Sequence, residues 1–160
     1  MNDLIVDQHL LDRVTALAQA APRQRQNHNF HASDAAHCHR LVNAIEPGSY
    51  IAPHCHADAG KDESIIVLRG ALGVVCFDRS GDITHSVVLR PGGDAVAVNI
   101  PHGVFHTVAA LQSATVFFEA KAGPYLPLAT GERAPWAPAE GDPRAPEFLE
   151  RIKRLLGAAR

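Results

Sequence analysis

Two histidines and a glutamate in the first half of the chain have a spacing that could serve metal chemistry. His54 and His56 are separated by one residue. Because residues i and i+2 of a β-strand lie on the same face, both imidazoles are expected to point the same way, while Cys55 points to the opposite face. Glu63 begins an apolar run at 63–69 and can lie across from this pair, since a loop joins the two segments.

A third imidazole is available at His106, which follows a Pro-x-Gly turn at Pro101 and Gly103. A single strand cannot surround an ion, so a metal site needs such a ligand from another strand. Three neutral imidazoles and one carboxylate suit Fe(II), Mn(II), Ni(II), Zn(II) or Cu(II). We therefore predict one divalent metal ion at this site. Its loss is expected below about pH 6, because imidazole must be neutral to coordinate.

The elements that must position these residues are mainly short strands. Residues 7–20 form a predicted helix, with Asp7 as its N-cap and Leu10, Leu11, Val14 and Leu17 on its apolar face. Nine short alternating runs follow, punctuated by Gly, Pro, Asp and Ser, and this pattern is typical of an antiparallel sandwich or barrel. The predicted strands are 27–32, 38–45, 49–55, 63–69, 71–78, 83–90, 95–100, 104–110 and 114–120.

Composition limits the classes of protein that the chain can belong to. Its 160 residues are 46% hydrophobic and 20% charged, which indicates a globular protein with room for one ordinary domain. The formal net charge of −2 does not favour a nucleic-acid or anionic-membrane partner. The N-terminal residues lack the pattern of a secretory signal, and the three cysteines form no Cys-x-x-Cys pair. We expect a cytoplasmic protein with reduced thiols.

The histidine-containing segments resemble the two motifs of the cupin superfamily. The first motif matches Gly48, His54, His56, Glu63 and Gly70, and the second matches Pro101, Gly103 and His106. Six residues separate His56 from Glu63, which is longer than the family's usual interval, and Asp62 is the alternative carboxylate. The resemblance implies an all-β fold, a double-stranded β-helix (jelly-roll) cupin barrel, and the apolar spacing at 7–20 and 147–157 adds short N- and C-terminal α-helices. The resemblance also implies a metal ion held by His54, His56, Glu63 and His106.

Further segments resemble the WbuC-type cupin-fold metalloproteins, over roughly residues 25 to 142. They are Asn29–His31, Lys61–Glu63, Gly123–Tyr125 and Pro135–Asp142. This resemblance implies a role in bacterial surface-polysaccharide (O-antigen) metabolism. Cupins are commonly dimers, so a homodimer is expected, which would also cover exposed strand edges.

The organisation that follows is a single cupin domain over residues 1–160. We expect an N-terminal helix within 1–24 and the β-barrel over 25–122. Residues 123–146 contain six of the eleven prolines and are expected to wrap around the barrel, and a C-terminal helix is expected within 147–160.

Several other residues could contribute to catalysis or to packing. Tyr50 shares the strand parity of His54 and could line the same cavity, or it could be a core aromatic. Lys61, in the loop before Glu63, could gate the site or contact a substrate. These two are the candidates for catalytic residues. We expect Trp136 to cover an apolar patch of the barrel, and we expect buried, inert thiols at Cys38, Cys55 and Cys76.

Three functions are compatible with these residues. The first is a metal-dependent isomerase, lyase or dioxygenase that acts on a sugar or sugar-nucleotide derivative, because an ion with open positions can polarise a substrate oxygen. The second is a non-catalytic small-molecule-binding cupin. The third is a metal-free, sugar-epimerase-like cupin with His106 as base. All three require a small-molecule ligand or substrate and neither nucleic acid nor membrane.

Overall fold

A computed structural model describes residues 4–158, in which eight strands form two antiparallel sheets with one helix outside each sheet. One sheet has the strand order β1-β2-β8-β3-β6 and the other β5-β4-β7. The helices are α1 (Gln8–Ala20) and α2 (Ala145–Ala158). The strands are β1 (Arg25–Asn29), β2 (Cys38–Ile45), β3 (Glu63–Arg69), β4 (Leu72–Phe77), β5 (Ile83–Leu89), β6 (Ala97–Ile100), β7 (Phe105–Ala110) and β8 (Thr115–Ala122).

Helix α1 begins at the predicted cap and packs on the outer face of the larger sheet. The Asp7 Oδ1 accepts a hydrogen bond from the Leu10 amide at 2.9 Å, which satisfies one of the helix's free N–H groups. Its buried stripe contains Leu10, Leu11, Val14 and Ala18 and contacts β2 and β8. The prediction for Leu17 is wrong, since this side chain is 54% exposed. The buried stripe is centred on Val14 and Ala18, and Leu17 lies at its edge.

The predicted strand at 49–55 is not formed, and this is the main difference from the expected secondary structure. His54 alone bridges to His106 and, on its other side, to Arg133. Pro53 has no N–H to donate to a ladder, and the Ile51 carbonyl accepts instead from the Thr107 hydroxyl. The segment therefore runs between β7 and the proline-rich segment without joining a regular sheet.

Three apolar cores hold the layers together. The larger sheet packs on α1, the two sheets enclose a core between them, and α2 packs on the outer face of the smaller sheet. Strand β7 is buried on both faces, because Val108 points between the sheets while Phe105 and Ala109 point towards α2. Trp136 covers the same outer region, with its ring 4.8 Å from that of Phe77, as predicted.

A buried carboxylate after β2 joins α1 to the turn between β7 and β8. Glu46 is 9% exposed and accepts hydrogen bonds from Gln19 Nε2 at 3.0 Å, Ser113 Oγ at 2.6 Å and the Ala114 amide at 2.9 Å. Burial alone would raise the pKa of Glu46, but these three donors outweigh it and lower that pKa. Glu46 therefore has a structural role and does not belong to the histidine site.

Candidate metal centre

Three imidazoles converge at one end of the barrel. The ring centroids of His54 and His106 are 4.6 Å apart, those of His54 and His56 are 5.4 Å apart, and those of His56 and His106 are 6.0 Å apart. The potential ligand atoms of the three rings lie within 4.8 Å of one another. Backbone pairing sets this arrangement, since His54 N donates to His106 O at 3.0 Å and His106 N to His54 O at 2.8 Å.

The second nitrogen of two of these rings is held by a backbone carbonyl. His54 Nδ1 lies 3.0 Å from Ala52 O, and His106 Nδ1 lies 3.0 Å from Val104 O. Because a carbonyl oxygen can only accept, both Nδ1 atoms must carry the proton. In the neutral rings Nε2 therefore keeps its lone pair, which is the arrangement that metal-ligating histidines generally show.

Glu63 completes the cluster despite the long interval that separates it from His56. It lies on the inward face of β3, is 6% exposed, and its Oε2 lies 3.1 Å from His56 Nε2 and 3.7 Å from His106 Nε2. Asp62 does not join the cluster. Its exposed carboxylate accepts from the His102 amide and lies 2.9 Å from His102 Nδ1, so that it joins the two motif-bearing loops.

The donor set fits a divalent metal ion. Within residues 4–158, the buried His106 Nε2 has no hydrogen-bond partner, although a neutral ring presents its lone pair there. Burial, followed by the charge of His106, lowers the pKa of His54 to about 4, so His54 is neutral at physiological pH. Three histidines that could hold a metal thus stand beside one buried carboxylate.

A cavity of about 400 Å³ leads from this cluster into the barrel, a size in the range of small-molecule sites. His54, Glu63 and His106 line one part of it. Its apolar lining includes Ile45, Ile51, Ile65, Val108 and Phe117, and its polar lining includes Arg23, Arg25, Gln26, Asn27, Asn43, Glu119 and Lys121. The cavity can therefore enclose a polar ligand next to the imidazoles.

Charged side chains of β8 form a network on the cavity wall. Lys121 Nζ lies 2.6 Å from Glu119 Oε1 and 3.8 Å from Glu63 Oε2, and Asn43 Nδ2 donates to Glu119 Oε2 at 2.9 Å. The sheet register causes this, because Lys121 is paired directly with Glu63 across β3 and β8. One ammonium thus lies between two buried carboxylates.

The pKa values of the two carboxylates in this network are shifted in opposite directions. Burial alone would raise the pKa of Glu63, but the interactions with His106 and His56 and the charge of Lys121 outweigh it and hold that pKa well below its usual range. Burial and then the charge of Glu63 raise the pKa of Glu119. Burial alone would lower the pKa of Lys121, yet both carboxylates raise it. Glu63 and Lys121 are therefore charged at neutral pH.

The structure places the two candidate catalytic residues outside the cavity. Tyr50 is a core aromatic in the cluster under α2, and its hydroxyl donates to Pro138 O at 2.7 Å. Burial raises its pKa to about 12, so it stays protonated. Lys61 Nζ donates to Pro124 O at 2.8 Å and joins the loop before β3 to the proline-rich segment. Neither side chain lines the cavity beside the imidazoles.

Among the described residues, the group that could hold a metal contains no cysteine, although Cys76 is the cross-strand partner of His106 and Cys55 stands between His54 and His56. Cys55 is buried and Cys76 half-buried, and burial raises the pKa of both thiols. The expectation of a buried thiol is wrong for Cys38, which is exposed at the start of β2.

Sequence reasoning missed Glu119, Lys121, Arg23 and Arg25 as residues of the cavity. The signal for the first two was the alternation in β8, where Phe117, Glu119 and Lys121 share one face, but the predicted strand ended at residue 120. Arg23 and Arg25 had no comparable signal. They reach the cavity because β1 pairs with β2 at the edge of the larger sheet.

Several solved structures share this architecture. KdgF from Halomonas sp. is 19% identical, with a TM-score of 0.51 over 66% of this chain and 84% of KdgF. TT1209 from Thermus thermophilus is 21% identical, with a TM-score of 0.52 over 76% of this chain and 97% of that one. The conserved SPY1581 protein of unknown function from Streptococcus pyogenes is 11% identical, with a TM-score of 0.52 over 79% and 92% of the two chains.

At these identities the similarity concerns the fold alone. Together with the two antiparallel sheets and flanking helices, it confirms the predicted jelly-roll cupin barrel. The WbuC-type resemblance stays a prediction. No curated protein matches the chain.

Two findings concern the chain as a whole. Among residues 4–158, no helix is long and apolar enough to cross a bilayer. A family model described as "Domain of unknown function (DUF6016)" matches residues 6–89, which is more than half of the sequence and includes His54, His56 and Glu63. The chain, a cupin-fold protein with three histidines that could hold a metal, therefore belongs to this DUF6016 family.

Proposed function

We propose that this protein is a metal-dependent enzyme that acts on a sugar or sugar-nucleotide derivative. The observation that carries the proposal is the convergence of His54, His56, His106 and Glu63 at one end of a cavity of about 400 Å³ with a charged and apolar lining. In this proposal the four residues hold one divalent ion, of zinc, iron, manganese or nickel. The bound ion would supply Lewis-acid polarisation of a substrate carbonyl or hydroxyl, or a site for dioxygen.

The chain's own residues would orient the substrate. Lys121 and Asn43 each keep an N–H donor beyond the one used on Glu119, so they can donate to substrate oxygens. Ile65 and Val108 cover the apolar side and exclude water there. Isomerase, lyase and dioxygenase reactions are all compatible with these roles. We further propose a cytoplasmic homodimer that takes part in surface-polysaccharide metabolism, on the basis of the WbuC-type resemblance.

Metal content is the first test. Untagged protein purified without chelator is analysed by plasma mass spectrometry beside the double variant His54→Ala/His106→Ala. The matched control is His37→Ala/His85→Ala, which removes two exposed histidines outside the cluster. We expect near-stoichiometric metal in the wild type and the control and its loss in the site variant. Metal-free protein that also fails to take up zinc, iron, manganese or nickel on reconstitution would overturn the proposal.

Turnover separates an enzyme from a binding protein. Metal-loaded protein is incubated with a panel of sugars and sugar nucleotides, and products are followed by NMR. Product formation that disappears in His54→Ala supports the enzyme. Binding without any product would instead support a non-catalytic cupin. Turnover that survives chelation and depends on His106 alone would support a metal-free epimerase.

A further inference from the structure

Two arginines that line the cavity hold a carboxylate between them. Arg23 Nε and Nη2 donate to Glu140 Oε1 and Oε2 at 2.6 and 2.7 Å. Arg25 Nη2 lies 2.8 Å from both oxygens of the same group. A paired arginine fork is the geometry with which proteins recognise carboxylates and phosphates. Glu140 thus occupies a preformed anion site.

This anion site opens on the same space as the imidazoles. Arg23 and Arg25 line the cavity inside the barrel together with His54. They also line an adjoining cavity of about 340 Å³ between the barrel and the proline-rich segment, and His54 is again part of its lining. The charged side chains of this second cavity are Arg23, Arg25, Arg133 and Glu140, so positive charge is in excess. An anion entering here would be attracted by that excess.

Arg25 does not depend on Glu140 for its position, and the Arg23 carbonyl accepts from Ser49 Oγ at 2.7 Å, although the Arg23 side chain is 63% exposed. Arg25 Nη1 donates to Ser49 Oγ at 3.1 Å and to Tyr50 O at 3.0 Å, and the Arg25 side chain is 19% exposed. Glu140, in contrast, is 41% exposed and belongs to the proline-rich segment outside the regular elements. The next residue, Gly141, has a φ of +86°, a conformation that favours glycine. Glu140 can therefore leave while Arg25 stays in place.

We propose that Arg23 and Arg25 recognise an anionic group of the ligand, a carboxylate or a phosphate, and that Glu140 occupies their site until such a ligand displaces it. This inference rests on the proposed function for the identity of the cavity as the substrate site. It narrows the substrate class to acidic sugars or sugar phosphates, with the anionic group at the arginines and the rest of the ligand extending towards His54.

The test compares three probes that differ in charge: D-glucuronate, D-glucose 1-phosphate and D-glucose. Their affinities for zinc-loaded protein are measured by NMR titration in the wild type, Glu140→Gln and Arg23→Gln. Removing the competing carboxylate is expected to tighten binding of at least one anionic probe about tenfold without changing that of glucose. Arg23→Gln should remove the preference for anions. Whichever anionic probe binds more tightly identifies the carboxylate or the phosphate as the recognised group.

Arg144→Gln is the matched control, since Arg144 also forms a bidentate pair on the proline-rich segment, with Asp142, but lines neither cavity. It should keep the wild-type preference. Equal affinities for charged and neutral probes in Glu140→Gln, or no measurable binding of any probe, would overturn the inference. Zinc analysis of the same samples separates the two proposals. Zinc without an anion preference refutes only the arginine site, whereas an anion preference in protein that takes up none of zinc, iron, manganese or nickel refutes only the metal centre.

Discussion

Lys121 offers a quantitative test of the electrostatic network in the cavity. The substitution Lys121→Met keeps most of the apolar stem and removes the ammonium between Glu119 and Glu63. The variant then has two buried carboxylates, 8% and 6% exposed, that have lost their shared counter-charge. Breaking a buried ion pair by removing one partner is strongly destabilising, because the other charge stays buried without compensation.

The two distances give the attraction that the variant loses. With an effective dielectric constant of about 20, charges separated by 2.6 and 3.8 Å attract by about 6 and about 4 kcal/mol. Desolvation of the ammonium opposes this attraction, and the Lys121 side chain retains 22% exposure. We therefore expect Lys121→Met to lower the free energy of unfolding by about 3 kcal/mol, the lower end of the range for broken buried pairs.

The chain contains a closely matched control. Lys153 Nζ lies 2.7 Å from Glu150 Oε1 and has a side-chain exposure of 21%, but Glu150 is 60% exposed. Lys153→Met should lower the free energy of unfolding by less than about 0.5 kcal/mol, because surface helix pairs contribute little. The two variants thus differ mainly in the burial of the carboxylate.

Urea unfolding of chelator-treated protein at neutral pH measures both effects. The double variant Glu119→Gln/Lys121→Met removes one of the two stranded charges, so it should be more stable than Lys121→Met alone. Zinc should also reduce the loss, since the ion would supply positive charge beside Glu63. A difference of less than about 1 kcal/mol between Lys121→Met and Lys153→Met would refute the reasoning.

Three further predictions concern other parts of the chain. Glu46→Gln should lower the free energy of unfolding by about 1–2 kcal/mol in urea at neutral pH. Because its pKa is lower in the folded state, the carboxylate stabilises the fold above its unfolded pKa of about 4.5, and the difference should vanish as acid titrates the folded pKa. Trp136→Ala should cost about 3 kcal/mol in the same assay through lost packing on Phe77; a loss near zero would contradict the role of the ring as a cover. Asp62→Ala should weaken zinc binding roughly tenfold, because it removes the hydrogen bond from the His102 amide that joins the loop before Glu63 to the loop before His106. The free energy of unfolding should change by less than about 1 kcal/mol, since the pair is exposed. Unchanged zinc affinity would refute this prediction.

Much of the fold could be predicted because its signals are local. The alternation of apolar residues and the turn residues identified most of the strands, and the Asp7 cap and apolar spacing identified α1. The sequence predicts a strand at 49–55 because the segment is one of several short runs that lie between turn residues. Its pairing partners, however, come from β7 and from the region near Arg133, and a proline interrupts the ladder. Local pattern does not contain that information.

By itself, the sequence identified His54, His56 and His106 as candidate ligands of one site, because residue type and motif spacing are properties of the chain alone. Only the tertiary structure decided which charges join them. The register of β3 against β8 places Lys121 opposite Glu63, and the pairing of β1 with β2 brings Arg25 to the cavity. The register between strands that are far apart in sequence depends on how all the layers pack. The amino-acid sequence alone therefore does not reveal these neighbours.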